Sequence, residues 1–365
     1  MFKRSIPFEK RLLNHWYSTG QSLRALEKIG LWGLTGVYRA LLLLRTYWHR
    51  WVSPPATAPG VRVISIGNLV AGGAGKTPCT LALVRTLGEA GRRCAIITRG
   101  YRSKASEVAC VIASRADLPM QSALAIGDEA WLLAWHSGVP VASGKNRHQC
   151  LQALLARYPR LDTIVLDDGL QQRDIASDTT VLLVDDRGFG NGHCLPYGPL
   201  REPVGDLQRF SGLVCHGSAL PTSQVRPVPR LRGMLTYEDV HWVNLRDWHD
   251  ALHRGLPLAR RAPVQTEKCL AVAGIAVPER FFRELIEMGF GITPLGLSDH
   301  DPQTVVKTMA AWHGGVYSTI LMTEKDAVKF LHQDHPLLAQ AWALVRRPVL
   351  SPSFTNEICD GPKTS

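Results

Sequence analysis

An α/β fold, with a parallel sheet flanked by helices, follows from three features of this 365-residue chain. Short apolar runs rich in Val, Ile and Leu recur between helical stretches, as parallel βαβ units require. One such run leads directly into a glycine-rich loop and then into a helical stretch. Finally, 365 residues with 45% hydrophobic and 20% charged side chains can build a large domain with a smaller companion.

Taken in order, residues 1–52 form a basic, aromatic segment. Nine Lys or Arg between Met1 and Trp51 face only Glu9 and Glu27, so this segment carries most of the chain's +11 charge. It also holds Trp16, Trp32, Trp48 and Trp51, four of the ten tryptophans. An amphipathic helix lying among lipid headgroups fits this mixture, and so does a helix packed on the core with solvated charges outside. The composition favours the first. The apolar run Leu31–Leu44 is shorter than the ~20 residues of a membrane span, and it contains Arg39. The segment therefore reads as a monotopic helix at an anionic surface.

The breaker Ser53-Pro54-Pro55 to Pro59-Gly60 opens a core predicted over 53–220. Its strands are expected at Val61–Ile66, Cys94–Thr98, Ile164–Leu166, Thr180–Val184 and Leu213–Cys215, with a helix over Pro78–Ala90. A proline-rich run, Pro221–Pro229, introduces a linker over 221–265, in which Met234–Asn244 alternates like a β-ribbon. A smaller α/β domain follows over 266–350, with strands at Lys268–Gly274 and Ser318–Met322 and a helix at Pro278–Met288. Residues 351–365 form a tail. Eight cysteines are scattered with no C-x-x-C pair, the pattern of reduced cytosolic thiols and not of a zinc site.

The chemistry concentrates at Gly67-Asn68-Leu69-Val70-Ala71-Gly72-Gly73-Ala74-Gly75-Lys76-Thr77, between predicted strand and helix. Glycines let backbone N–H groups turn inward around phosphates, and the helix N-terminus adds a favourable dipole. Lys76 would reach the β- and γ-phosphates and Thr77 would ligate Mg²⁺, as in a P-loop nucleotide site. Val70 stands where the strict motif has glycine, a loss that Gly72 and Gly73 are expected to compensate. Magnesium also needs a strand-end carboxylate, and two pairs qualify almost equally: Asp167-Asp168 after TIVL and Asp185-Asp186 after VLLV. Asp128-Glu129 sits at an expected helix start, where capping is the simple reading. Asp299-His300-Asp301 can pair a carboxylate with a histidine. Arg201-Glu202 lies in a proline-bounded loop, and Thr323-Glu324-Lys325-Asp326 reads as a Thr-capped helix start.

In order along the chain, GNLVAGGAGKTP, ITRGY, IGDEA, LDDGLQQR, VDDRGFGNG, LPYGPLREP, AGIAVPERFF, SDH and MTEKDAVK together resemble the tetraacyldisaccharide 4′-kinases of lipid A synthesis, whose altered P-loop has the same long spacing. The resemblance implies a P-loop NTPase-type sheet and transfer of the ATP γ-phosphate, with Mg²⁺, to a lipid-linked disaccharide. It places the enzyme on an anionic membrane surface, the cytoplasmic face of the bacterial inner membrane, and implies no nucleic-acid partner. It also implies roles. Lys76 and Arg201 act on the phosphates, and residues 67–77 cradle the nucleotide. Thr77, Asp167, Asp168 and Glu202 hold the metal, which leaves Asp185 and Asp186 secondary. Asp128 is the base and His300 its partner. Ala130-Trp131 and Lys145-Asn146 depart from the family pattern, in segments expected not to touch these residues. A metal-insertion GTPase or assembly ATPase is the alternative, but the N-K-x-D element and metal-binding Cys/His pairs of that class are absent from the sequence.

Overall fold

The computed structural model describes residues 8–17, 23–52, 54–100, 110–172, 174–205, 207–217, 229–265, 268–313 and 317–360. Ser53 of the breaker, Tyr101 of ITRGY, Arg173 of LDDGLQQR and most of the proline-rich run lie outside them. The elements are α1 (Phe8–Tyr17), α2 (Ala25–Trp51), β1 (Arg62–Gly67), α3 (Lys76–Glu89), β2 (Cys94–Thr98), β3 (Val111–Ala113), α4 (Ala123–Ile126), α5 (Asp128–Ser137), β4 (Val141–Ser143), α6 (Arg147–Arg157), β5 (Thr163–Leu166) and β6 (Thr179–Asp185). There follow β7 (Gly212–His216), β8 (Leu231–Asn244), α7 (Leu245–Arg254), β9 (Cys269–Ala273), α8 (Pro278–Glu287), β10 (Ile292–Gly296), α9 (Thr304–His313), β11 (Thr319–Thr323), α10 (Glu324–Ala327), β12 (Ala341–Leu350) and α11 (Pro352–Asp360). The fold is mixed α/β, with nearly all strand pairs parallel.

The chain divides into two compact units. The first holds 1–76, 168–236 and 350–365; the second holds 77–167 and 237–349. The chain passes between them at Lys76–Thr77 and again at Asp167–Asp168.

In the first unit β1 pairs with β6, β6 with β7, and β7 with the start of β8, all parallel. β1 and β6 are buried almost throughout, as β-branched strands covered on both faces should be. Leu69, Leu182, Phe189, Leu200 and Leu213 form a core against which Tyr38 of α2 packs. The N-terminal helices are tied to this unit by specific bonds. The Trp16 indole donates to the Pro196 carbonyl (3.1 Å), and the Thr35 hydroxyl accepts from Tyr197 N–H (3.1 Å). The opposite face of α2 exposes Leu26, Ile29, Trp32, Leu41, Leu44 and Trp48. Packing on the core and apolar exposure, offered as alternatives by the composition, thus occupy different faces of one helix. No helix among the described residues is long and apolar enough to cross a membrane.

The second unit contains β5–β2–β4 in parallel with β3 antiparallel at the edge, and β10–β9–β11–β12, all parallel. Pro278 opens α8, whose Phe281 and Leu285 enter a core with Ala271, Ala273 and Leu321. Helices α5 and α10 lie together, joined by His136 Nε2 to Glu324 Oε1 at 2.7 Å. Met234–Asn244 lies within the single strand β8, which is hydrogen-bonded to β12. The second strand of the expected ribbon therefore comes from far along the chain, a non-local pairing that alternation within 234–244 does not encode.

Candidate functional site

In the first unit the functional side chains gather where β1 ends. Gly67 is required there, because a Cβ would lie 2.9 Å from Leu170 Cγ. Asn68 is fully buried; its amide donates to the Val70 carbonyl (2.8 Å) and its Oδ1 accepts from Lys76 Nζ (3.3 Å). Val70 bridges antiparallel to Leu200, an extended conformation natural for valine. The left-handed turns fall instead at Gly72 and Gly75, so Gly75 and not Gly73 joins Gly72 in supplying the freedom that Val70 lacks. Substitution of a strict glycine is tolerated here because the turn has moved along the loop.

Lys76 Nζ lies 3.7 Å from Asp168 Oδ1, and Arg201 Nη1 lies 3.2 Å from the same oxygen. Two cations thus share one carboxylate, leaving positive charge for an anion. Gln171 ties the group together, accepting from Arg201 (3.2 Å) and donating to the Asn68 carbonyl (2.9 Å) and to Glu202 Oε1 (3.3 Å). Arg201 is held at both backbone ends: its N–H donates to the Leu69 carbonyl (2.7 Å), and its carbonyl accepts from the Tyr38 hydroxyl (2.7 Å). Asp168 has φ +51°, one of three non-glycine residues with positive φ among those described; His300, at +57°, is another. Such strain concentrates at functional positions.

The rival carboxylates are used otherwise. Asp185 is gripped by Arg187 Nη2 and Nε (2.7 and 2.9 Å), and Arg187 also donates to the Gly73 carbonyl (2.8 Å). Asp186 packs against Gly217, where a Cβ would lie 2.3 Å from its Oδ1.

In the second unit Thr77 occupies the first turn of α3. Asp167 is buried at the end of β5 and accepts from the Thr80 hydroxyl at 2.9 Å. The Asp167 carbonyl accepts from the buried Arg147 (3.0 Å). The Ser143–Arg147 segment, expected to stay clear of the chemical residues, therefore does touch one. Arg147, two residues after Lys145, opens α6 and is buried.

The same unit assembles a second cluster from α5, α10 and the loop after β10. Asp128 is buried at the start of α5; its Oδ1 accepts from Glu129 N–H (2.9 Å) and from His300 Nδ1 (2.9 Å). Its Oδ2 faces Lys329 Nζ at 3.8 Å. The histidine's closest carboxylate is thus Asp128, 172 residues away, and neither flanking aspartate. Asp299 binds Lys325 (2.7 Å) and Asp301 binds Lys307 (2.7 Å). Thr323 caps α10 as expected, accepting from Asp326 N–H. Beyond that cap, α10 brings in Lys325 and, just after it, Lys329, neither of which was assigned a role from sequence. Asp326, fully buried, anchors Lys329 (3.1 Å) and accepts from Gly274 N–H (2.8 Å). Gly274 must be glycine because a Cβ would meet that carboxylate at 2.7 Å.

Burial raises the Asp128 pKa, but the His300 hydrogen bond and the charges of Lys325 and Lys329 outweigh it, so the carboxyl stays below its ordinary value. Asp128 is therefore an ionised carboxylate at neutral pH, with two donors on one oxygen. This is the arrangement of an oriented general base.

Among the described residues no three His, Cys, Asp or Glu side chains are grouped to hold a metal by themselves. Thr77 and Asp167 in the second unit, and Asp168 and Glu202 in the first, each offer oxygen donors, the donor type that suits Mg²⁺, an ion that keeps waters and takes substrate phosphates as ligands.

The family model for tetraacyldisaccharide-1-P 4′-kinase matches residues 27–361. A tetraacyldisaccharide 4′-kinase from Herminiimonas arsenicoxydans is 37% identical over 340 residues, spanning 90% of each chain. One from Leptothrix cholodnii is 38% identical over 325 residues, covering 87% of this chain and 85% of that one. In fold, the chain is similar to a crystal structure of LpxK from Aquifex aeolicus in complex with ATP, with TM-score 0.70 and 22% identity over 91% of this chain and 98% of that one. By its sequence, this chain belongs to the tetraacyldisaccharide-1-P 4′-kinase family.

Proposed function

We infer that this protein is a kinase that transfers the γ-phosphate of ATP to the 4′-hydroxyl of tetraacyldisaccharide 1-phosphate, a step of lipid A synthesis. The observation that carries the chemistry is Asp128, a buried, ionised carboxylate oriented by His300 in a chain that also holds a P-loop lysine. A sugar hydroxyl is a weak nucleophile. Asp128 takes its proton as the O4′–P bond forms and the bond from the γ-phosphorus to the ADP oxygen breaks.

Lys76 and Arg201 offset charge on the transferring group, and residues 67–77 cradle the phosphates. Thr77, Asp167, Asp168 and Glu202 are the residues that would hold Mg²⁺, which would supply further neutralisation of phosphate charge. An arriving triphosphate would compete with the Asp168 carboxylate for Lys76 and Arg201, which would make that carboxylate available as an oxygen donor.

A four-chain lipid cannot leave a bilayer cheaply, so the enzyme must work at the surface. The exposed apolar face of α2 with its flanking Lys28, Arg39 and Arg45 supports peripheral attachment to anionic lipid on the cytoplasmic face of the inner membrane. The test is transfer from γ-labelled ATP to the disaccharide 1-phosphate carried in anionic vesicles. The wild-type chain is expected to yield a bisphosphorylated lipid. A Trp32→Asp/Leu41→Asp variant is expected to float poorly with vesicles yet keep its fold. Absence of labelled lipid while ATP still binds would remove the assignment; undiminished flotation of the variant would remove the surface.

A further inference from the structure

We propose that Arg187 is a positioning residue for the phosphate loop: it holds the Gly73 carbonyl outward and so aims the next N–H, that of Ala74, into the cradle. This role rests on the reading of residues 67–77 as that cradle.

A trans peptide is planar, with its C=O and the following N–H pointing in opposite directions. A loop that turns N–H groups inward around phosphates must therefore keep the partner carbonyls outside. Glycines leave the peptide planes free to rotate. Gly72 and Gly73 stand together at the loop's turn, Gly72 with φ +98°. Their orientation has to be imposed from elsewhere, and Arg187 imposes it. Its Nη2 donates to the Gly73 carbonyl at 2.8 Å. Its Nη1 lies against the same turn, 3.3 Å from where a Cβ on Gly72 would stand.

The guanidinium is itself held on a rigid base. Nε and Nη2 fork onto Asp185 Oδ2 at 2.9 and 2.7 Å. Asp185 is buried at the end of β6, which pairs with β1, the strand that delivers the loop. A single ammonium lacks this fork, so lysine could not be fixed in the same way. Tyr17, at the end of α1, completes the seat, its ring centroid 5.6 Å from Arg187 Cζ and within cation–π reach. A few residues on, the Pro196 carbonyl accepts from the Trp16 indole and the Pro199 carbonyl accepts from Ala71 N–H at 2.8 Å. The glycine turn is thus tied on both sides, at Ala71 and at Gly73, to one segment on which α1 is docked. An ordinary surface ion pair ends at its partner side chain; this one continues into the backbone of the loop.

Titration calorimetry of the full chain with ATP and Mg²⁺, beside steady-state kinetics on the disaccharide 1-phosphate, tests this role. Arg187→Met is expected to weaken ATP binding and raise KM for ATP by about 10- to 100-fold, the scale of one charge-assisted hydrogen bond. KM for the lipid should stay as in wild type, and kcat should change far less. A purely structural role would instead lower kcat through a smaller active fraction and leave KM for ATP alone. Arg187→Lys, which keeps a charge beside Asp185 and with it the fold, is expected to show the same split at smaller size. Tyr17→Ala is expected to raise KM for ATP by about 2- to 5-fold, the scale of an exposed cation–π contact. Tyr17→Phe, which retains the ring, is expected to restore most of that loss. Wild-type ATP affinity in Arg187→Met overturns the proposal; where that variant does not fold, wild-type affinity in Arg187→Lys overturns it equally. An ATP affinity that Lys76→Ala also leaves unmoved would remove the cradle itself, which separates the two failures.

Discussion

Asp128→Asn is expected to lower kcat by about 10²- to 10⁴-fold, the range attributable to a positioned general base, while KM for ATP stays as in wild type. The amide is nearly isosteric, and its oxygen can still accept from Glu129 N–H and His300 Nδ1. What disappears is the ability to hold a proton, and in its place an N–H₂ group faces Lys329. Steady-state kinetics at saturating lipid separate this outcome from a structural one, because a disturbed P-loop would raise KM for ATP. The pH dependence follows from the lowered Asp128 pKa. A carboxyl with a folded pKa below its unfolded value contributes stability above the unfolded value, about 3.9, and that contribution is lost as pH falls through the lower folded value. The acid limb of kcat should accordingly lie below the ordinary carboxylate range. Acid unfolding of Asp128→Asn should lack this component, which matched denaturation curves of the two proteins would show.

Lys76→Ala is expected to lower kcat/KM for ATP by about 10²- to 10³-fold, the scale of losing one preorganised charge at a transferring group, without raising KM for the lipid. Lys76 and Arg201 both lie at the Asp168 carboxylate, so the substitution removes one cation from that cluster. The loop itself should persist, since Asn68 keeps its bond to the Val70 carbonyl and Val70 its bridge to Leu200. Thermal denaturation close to wild type, together with the kinetic loss, separates a missing phosphate contact from a collapsed loop. A kcat/KM for ATP within a few-fold of wild type would remove Lys76 from the phosphate-binding role.

The two variants probe features that were unequally legible in the sequence. Strands β1, β2, β5 and β6 are runs of β-branched and apolar residues, and their burial follows from that pattern alone. The glycine-rich loop was legible as a loop, but the positions of its turns were not. Val70 escapes the glycine requirement only through its bridge to Leu200, a partner 130 residues away. Asp167-Asp168 and Asp185-Asp186 are locally alike because both end apolar strands. Their difference lies in partners: Thr80, Lys76 and Arg201 for one pair, Arg187 and Gly217 for the other. Lys325 and Lys329 were the most concealed. A Thr cap explains Thr323–Asp326 completely at short range, and the approach of α10 to α5 and to the loop after β10 gives Lys325 its neighbours. Local chemistry was readable to the extent that it was local. The Asp128–His300 pair was reached through the resemblance of ordered motifs, since no spacing rule joins residues 172 apart.

The central claim is that ATP is spent on one hydroxyl of a membrane-borne disaccharide. It is tested most directly by offering γ-labelled ATP and Mg²⁺ to the wild-type protein with two acceptors in the same vesicles, the disaccharide 1-phosphate and its 4′-deoxy analogue. Label recovered only on the first, with mass spectrometry placing the new phosphate on the 4′ oxygen, is the predicted result. Label on the 4′-deoxy lipid, or on any other oxygen of the intact one, would contradict it.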